Sequence, residues 1–167
     1  VCSSDLNEYI LRVRDALPAR IKVTTAEPWS TWLLVPEIAE HVDMIFVHLL
    51  PYWENADITG SLKATQTFFD NIQEAFPGKT VVVGEAGWPS EGRTRGHAEA
   101  TLANQAWFVR AFVQHAMEQG WDYYLMEAYD QPWKNRGEGA VGAYWGMFDA
   151  NGTPKFAFTG MLRTFPA

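Results

Sequence analysis

Two spacings of apolar residues alternate along the chain. Between residues 5 and 18 the apolar positions Leu6, Tyr9, Ile10, Val13 and Leu17 recur at helical intervals. Asp5 can cap such a helix and Pro18 can stop it. The run at 21–26, Ile-Lys-Val-Thr-Thr-Ala, reads instead as a strand that ends at Glu27 and Pro28. The couplet then repeats. A short helix fits 35–41, and a strand fits 43–49, with Pro51, Tyr52 and Trp53 behind it. A helix over 61–76 turns Leu62, Thr65, Phe68, Phe69, Ile72 and Phe76 to one side and closes at Pro77 and Gly78. A strand over 80–84 runs straight into Glu85. A long helix over 97–119 stops at Gly120, and a strand over 122–127 ends at Glu127, ahead of Asp130, Gln131, Pro132 and Trp133. The tail from 135 is rich in Gly and aromatic residues and has no helical period.

Helix and strand thus alternate four times, and the strands are too apolar to have a wet face. That pattern predicts an α/β fold, a parallel sheet of about four strands covered by helices. Val23, Thr25, Ile45, Val47, Val81, Val83 and Tyr124 are the expected inward set, with the parity of each strand open by one residue. Chemistry-bearing residues follow every strand: Glu27 with Trp29, His48 with Tyr52, Glu85 with Trp88, and Glu127 with Trp133. Parallel α/β folds build their sites at this edge. The segment at 80–90, Thr-Val-Val-Val-Gly-Glu-Ala-Gly-Trp-Pro-Ser, is the most informative. A buried strand presents one carboxylate there, with an indole beside it. An aromatic face can pack on a pyranose while the acid reaches the anomeric carbon. The alternative is that Glu85 caps the following turn and Trp88 fills core. No Gly-x-Gly-x-x-Gly or phosphate-loop pattern follows any strand, which disfavours nucleotide binding.

Composition narrows the choice. A chain of 167 residues can form one domain with a full core, and its 47% hydrophobic content is ordinary. The net charge of -7, without a Lys/Arg cluster, argues against nucleic acid and for a neutral substrate. Eight tryptophans suggest an aromatic-lined groove. A lone cysteine, Cys2, rules out an internal disulfide. No apolar run reaches the ~18 residues that span a membrane.

The strand ends together resemble glycoside hydrolase family 17, the β-1,3-glucanase and glucanosyltransferase family, most of all its bacterial members. The matching stretches are Val-Thr-Thr-Ala-Glu-Pro-Trp at 23–29, Val-His-Leu-Leu-Pro-Tyr-Trp-Glu at 47–54, Val-Gly-Glu-Ala-Gly-Trp-Pro-Ser at 83–90 and Met-Glu-Ala-Tyr-Asp-Gln-Pro-Trp-Lys at 126–134. The resemblance implies the C-terminal half of a (β/α)8 TIM barrel, strands five to eight, over residues 1–167, with residues 1–4 foreign to the family. It implies that Glu85 is the nucleophile, that Tyr52 positions it, and that Glu127, Trp133 and Lys134 line the donor side of a sugar cleft. Glu27, Trp29, His48 and Trp88 join the expected substrate-binding set. The family's general acid belongs to a Gly-Asn-Glu motif after the fourth strand. Asn7-Glu8 is not that motif, because it sits inside a helix, so the acid is expected to be absent and these residues alone to be inactive. The expected partner is a β-glucan, with the other half of the barrel or self-association closing the sheet. No cofactor is implied. A periplasmic, extracellular or membrane-associated parent protein fits the family.

Three other readings stay open from the residues. Glu27 or Glu127 could stand in as the acid. Trp29, Trp53, Trp88 and Trp133 could stack on sugar rings in a non-catalytic carbohydrate-binding or scaffold module. His48, Glu85, Glu127 and Asp130 could converge on a metal, although there is no His-x-His strand end and no His-Glu-x-x-His helix, so no metal is expected. His41, His97 and His115 fall in or beside helices, where capping or surface roles are expected.

Overall fold

The computed structural model describes residues 3–158, so the expectation about residues 1–4 falls mostly outside the described residues. Helix α1, Ser3–Ala16, begins ahead of Asp5, which lies in its first turn near the positive end of the helix dipole. Ile10 is buried, whereas Tyr9, Val13 and Leu17 stay exposed. Arg14 ties the helix to the sheet through the His41 carbonyl at 3.0 Å and the Asp43 carboxylate at 3.1 Å.

The first strand is later and shorter than its pattern predicts. β1 is Ala26–Pro28 rather than 21–26. Side chains supply the bonds that a ladder would have made. The Val23 N–H donates to the Asp43 carboxylate at 2.7 Å, and the Thr24 hydroxyl donates to the Met44 carbonyl at 2.7 Å. Helix α2, Trp29–Leu34, follows at once and buries Trp32. The short helix expected over 35–41 is a 3-10 turn, Pro36–Glu40.

β2 at Met44–Leu49, α3 at Ser61–Ala75 and β3 at Thr80–Ala86 match their patterns closely, whereas α4, Leu102–Gln119, starts five residues later than expected and β4, Tyr123–Leu125, is half the expected 122–127. α4 starts late because Arg95 and Ala98 close a tight antiparallel bridge ahead of it. Thr101 then caps the helix by accepting the Asn104 N–H at 3.2 Å, and Gly120, at φ 67°, ends it in the left-handed conformation. After β4 come a 3-10 turn at Pro132–Lys134, the single-turn helix α5 at Asn135–Glu138, and a second 3-10 turn at Ala140–Ala143. No helix among the described residues is long and apolar enough to cross a membrane.

The four strands are parallel and lie in the order β1-β2-β3-β4. That order never reverses. Right-handed crossovers between successive neighbours put the covering helices on one side of the sheet, whereas a doubly wound sheet needs a reversal. The architecture is therefore half of a TIM-barrel wall. Its core lies between sheet and helices, where Ile45, Val47, Val83, Trp32, Ile72, Phe108 and Phe112 are fully buried.

This overturns the expected parity of two strands. Ile45, Val47 and Val83 face the helices, and Val81 pairs with Ile45 on the same side. Val23 joins that core too. Phe46 and Val82, in register with each other, hold the opposite face. Tyr124 is inward as expected, 60% exposed, its ring 5.5 Å from Phe46. The outer set won because it meets Trp32, Phe69 and Ile72, and burial there removes more apolar surface from water.

Candidate active site at the carboxyl edge of the sheet

An irregularity in β3 aims the central carboxylate. Between β2 and β3 the register runs Ile45↔Val81, Phe46↔Val82, Val47↔Val83 and then jumps to His48↔Glu85. Gly84 is the extra residue. Strict alternation would point Glu85 to the helix side along with Val83. The bulge inverts the parity and turns Glu85 to the inner face beside His48. Glycine is required at the bulge, because a Cβ on Gly84 would lie 2.8 Å from Phe46 Cδ1. Gly87 is more tightly constrained: a Cβ there would sit 2.1 Å from the Met126 carbonyl oxygen, just past the paired ends of β3 and β4.

Glu85 Oε2 lies 3.4 Å from His48 Nδ1. Burial pushes the Glu85 carboxyl up from its ordinary value, the Lys134 ammonium opposes this, and the Glu127 carboxylate adds to it. Burial pushes His48 down, with Glu27 opposing, so the imidazole is neutral at neutral pH. Glu27 accepts the Thr25 hydroxyl at 3.0 Å. Glu27, His48 and Glu85 thus stand on three successive strand ends.

Beyond β4, Glu127 accepts from Lys134 Nζ at 2.7 Å and from the Gln131 side-chain amide, while its Oε1 is buried without a partner. Asp130 turns away from this group. Its Oδ1 accepts from Lys155 Nζ at 2.8 Å and from the Gly146 N–H at 2.9 Å, which fixes the turn after β4. Glu127 and Asp130 are each held by a lysine, and no cluster of three metal-ligating side chains exists among the described residues. Trp133 is 68% exposed beside this cluster, with Lys134 Nζ 5.9 Å from its ring centre. Trp29 stacks on Phe68 at 4.4 Å and donates its indole N–H to Glu54 at 3.1 Å.

Two expected site residues are interior. Trp88 is fully buried, packs on Tyr52 and Phe108, and donates its indole N–H to the Glu99 carbonyl at 2.9 Å, so it offers no face to a ligand. Tyr52 is also buried, and its hydroxyl donates to the Arg93 carbonyl rather than to Glu85. The Gly87-Trp88-Pro89 turn folds the indole inward because the apolar wall formed with Phe108 and Tyr52 takes the whole ring out of water. Trp53 packs against Tyr52 and Trp145, with the Arg95 guanidinium 5.5 Å from its ring centre.

Sequence reading missed Glu138. Its Oε2 is buried without a partner, and burial pushes its carboxyl up, with Lys134 opposing and Glu127 and Glu85 reinforcing. The only local signal is an acid between Gly137 and Gly139 in a segment without period. Lys134 therefore serves three carboxylates: Glu85, Glu127 and Glu138.

Known proteins resemble this chain in sequence and fold. The family described as the BtgE/BtgC glycoside hydrolase domain matches residues 1–146. A glucan 1,3-beta-glucosidase of Arthroderma benhamiae is 29% identical over 91% of this chain and 54% of its own length. The glycoside hydrolase family 17 β-1,3-glucanosyltransferase of Rhizomucor miehei superposes with a TM-score of 0.83 at 24% identity, over 95% of this chain and 58% of its own. An active-site mutant of that enzyme in complex with laminaritriose superposes with a TM-score of 0.82, also at 24% identity, over 92% of this chain and 56% of its own. The chain spans about half the length of the relatives it matches. With residues 1–146 matched by the family model, the chain belongs to the BtgE/BtgC glycoside hydrolase domain family, and its half-barrel fold is shared with the family 17 enzymes.

Proposed function

We propose that the chain carries the nucleophile side of a retaining site for β-1,3-glucosidic bonds, over strands five to eight of the barrel. The observation that carries this reading is the bulge at Gly84, which turns Glu85 to the inner face among His48, Glu127 and Lys134. In this mechanism a Glu85 carboxylate oxygen bonds to the anomeric carbon as the bond to the leaving oxygen breaks. A carboxylic acid about 5–5.5 Å from Glu85 protonates that oxygen. Water, or a hydroxyl of a second glucan, then attacks the ester and releases Glu85. Water gives hydrolysis and the glucan gives transglycosylation.

Lys134 supports the assignment because its ammonium favours the ionised form of Glu85, the form a nucleophile needs. His48 is neutral and can hydrogen-bond either the carboxylate or a sugar hydroxyl. Glu27, Trp29, Glu127, Trp133 and Lys134 would contact the glucan, with Trp133 supplying the exposed ring. Tyr52 and Trp88 act from the interior, holding the strand ends. The acid falls to the Gly-Asn-Glu segment that the family resemblance calls for, so the 167 residues alone are nearly inactive. Glu85→Gln in the barrel-complete protein should cut turnover by several orders of magnitude, and a 2-fluoro glucoside should label Glu85 as a covalent ester seen by mass spectrometry. A label on another residue, or near-normal activity in Glu85→Gln, removes the assignment. Robust release of reducing sugar from laminarin by the 167 residues alone contradicts the second part.

A further inference from the structure

Gln105, near the start of α4, is fully buried, and its side chain leaves the helix for the segment at 144–146. Its Nε2 donates to the carbonyls of Gly146 at 3.1 Å, Trp145 at 3.2 Å and, more weakly, Tyr144 at 3.4 Å. Turning the amide over would set its oxygen against carbonyl oxygens, which only accept, so the nitrogen is fixed in this place. Among the described residues Gln105 Oε1 has no partner. An amide is costly to bury with half its bonding capacity unmet. A side chain of the same size without polar atoms would fill the space at no such cost, so the position is kept for the nitrogen alone.

The carbonyls it gathers belong to the backbone that holds two strand ends. The Trp145 carbonyl also accepts the Glu127 N–H at 3.1 Å, and the Met147 N–H donates to the Glu127 carbonyl at 2.9 Å. Glu127 is thus clamped through both of its main-chain polar groups by the segment that Gln105 pins. The Tyr144 carbonyl accepts the Ser90 N–H at 2.9 Å, at the end of the turn that follows Glu85. The Gly146 N–H donates to Asp130 at 2.9 Å and fixes the turn after β4. Glu85 itself is faced by His48 from β2, by Glu127 and Lys134 from beyond β4, and by Glu138 from α5. Of these groups, Glu127 is the one whose backbone hangs on the Trp145 carbonyl.

We propose that Gln105 is a positioning residue: through the Trp145 carbonyl it sets where Glu127 stands against Lys134 and Glu85. Buried in the helix layer, it acts without touching substrate. The inference rests on the nucleophile reading of Glu85 and extends that site to a residue of α4. The test is a double-mutant cycle of Gln105→Met and Glu127→Gln in the barrel-complete protein. Methionine fills the volume of the amide and donates nothing. With its backbone released, the Glu127 carboxylate presses less on Glu85, and Lys134 is freer to serve Glu85. The Glu85 titration, followed by carbon-13 NMR of its carboxyl, should move to lower pH, and the acid limb of kcat/KM should move with it. The value of kcat/KM should fall about tenfold. In the Glu127→Gln background Gln105→Met should shift the Glu85 titration no further, because the group it acts through is gone. Gln105→Asn keeps an amide that stops one methylene short of the carbonyls. It should displace the titration in the same direction with a smaller loss of melting temperature, and so stands in if the Met protein does not fold. A Glu85 titration unmoved in the folded variants, or moved equally in the Glu127→Gln background, overturns the positioning role. Loss of the fold in both variants overturns it too, by making Gln105 a purely structural residue. A titration that moves while the acid limb stays put leaves the Gln105 relay standing and removes Glu85 from the nucleophile role.

Discussion

His48 stands opposite Glu85 across β2 and β3, where an unbroken register would have put Gly84. The two side chains meet at 3.4 Å because one residue too many has been inserted in β3. The bulge is thus the local feature that separates a sheet end from a site. It takes a carboxylate that alternation would have sent into the apolar helix layer and delivers it to the open face.

Gly84→Ala tests that feature directly. The new methyl would sit 2.8 Å from the Phe46 ring, which must shift or push the strand back. A loss of about 1–3 kcal/mol in denaturant unfolding is expected, with a larger fall in turnover than the stability loss explains, because Glu85 is the next residue. In a Phe46→Ala background the same substitution should be nearly neutral for stability. An equal loss in both backgrounds would show that the ring is not the obstacle.

The acid limb of the pH–rate profile reports the charges around Glu85. Its carboxyl is raised by burial, lowered by Lys134 and raised by Glu127. The nucleophile works ionised, so activity appears as pH rises through its folded pKa. Lys134→Met removes the opposing cation, and the acid limb of kcat/KM should move to higher pH. Glu127→Gln removes a like charge and frees Lys134, and the limb should move to lower pH. Two limbs that coincide with the unsubstituted protein would disconnect both residues from Glu85.

The sequence made most of this edge legible, for reasons that differ by element. β2, α3, β3 and α4 were readable because long apolar runs and clear stops coincide with burial, as with Ile72 under the sheet and Gly120 after α4. β1 was misplaced because Asp43 and Thr24 satisfy backbone and ladder groups from side chains, a long-range exchange with no period. Parity failed in β2 and β3 because an apolar strand buried on both faces looks the same from either side. The chemistry of Glu85 and Glu127 could be read from position. The inward turn of Trp88 and the unpartnered oxygen of Glu138 depend on how loops pack, and neither leaves a spacing to find.

Trp88 and Trp133 should therefore separate sharply, although both follow strand ends. Trp88→Ala empties a fully buried site and loses a hydrogen bond to Glu99, with an expected destabilisation of about 3–5 kcal/mol. Trp133→Ala removes an exposed ring, so stability should stay within about 0.5 kcal/mol while laminaritriose affinity falls. Thermal melts and titrations on the two variants decide it. A Trp88 variant that melts normally but fails to bind glucan would restore the indole to the cleft.

Glu138 carries a buried carboxylate oxygen without a partner. Its folded pKa is raised above the ordinary carboxylate value by burial, with Glu127 and Glu85 adding to the shift against Lys134. Between the ordinary and the raised value the folded protein holds a proton that the unfolded chain has released. Stability therefore declines as pH rises through that window, and the deficit persists above it. Glu138→Gln removes the deficit. The variant should melt higher than its parent at neutral pH and equal to it at a pH below the ordinary carboxylate value. A Glu138→Gln protein that melts lower at neutral pH would mean that the carboxylate holds the 138–142 turn together.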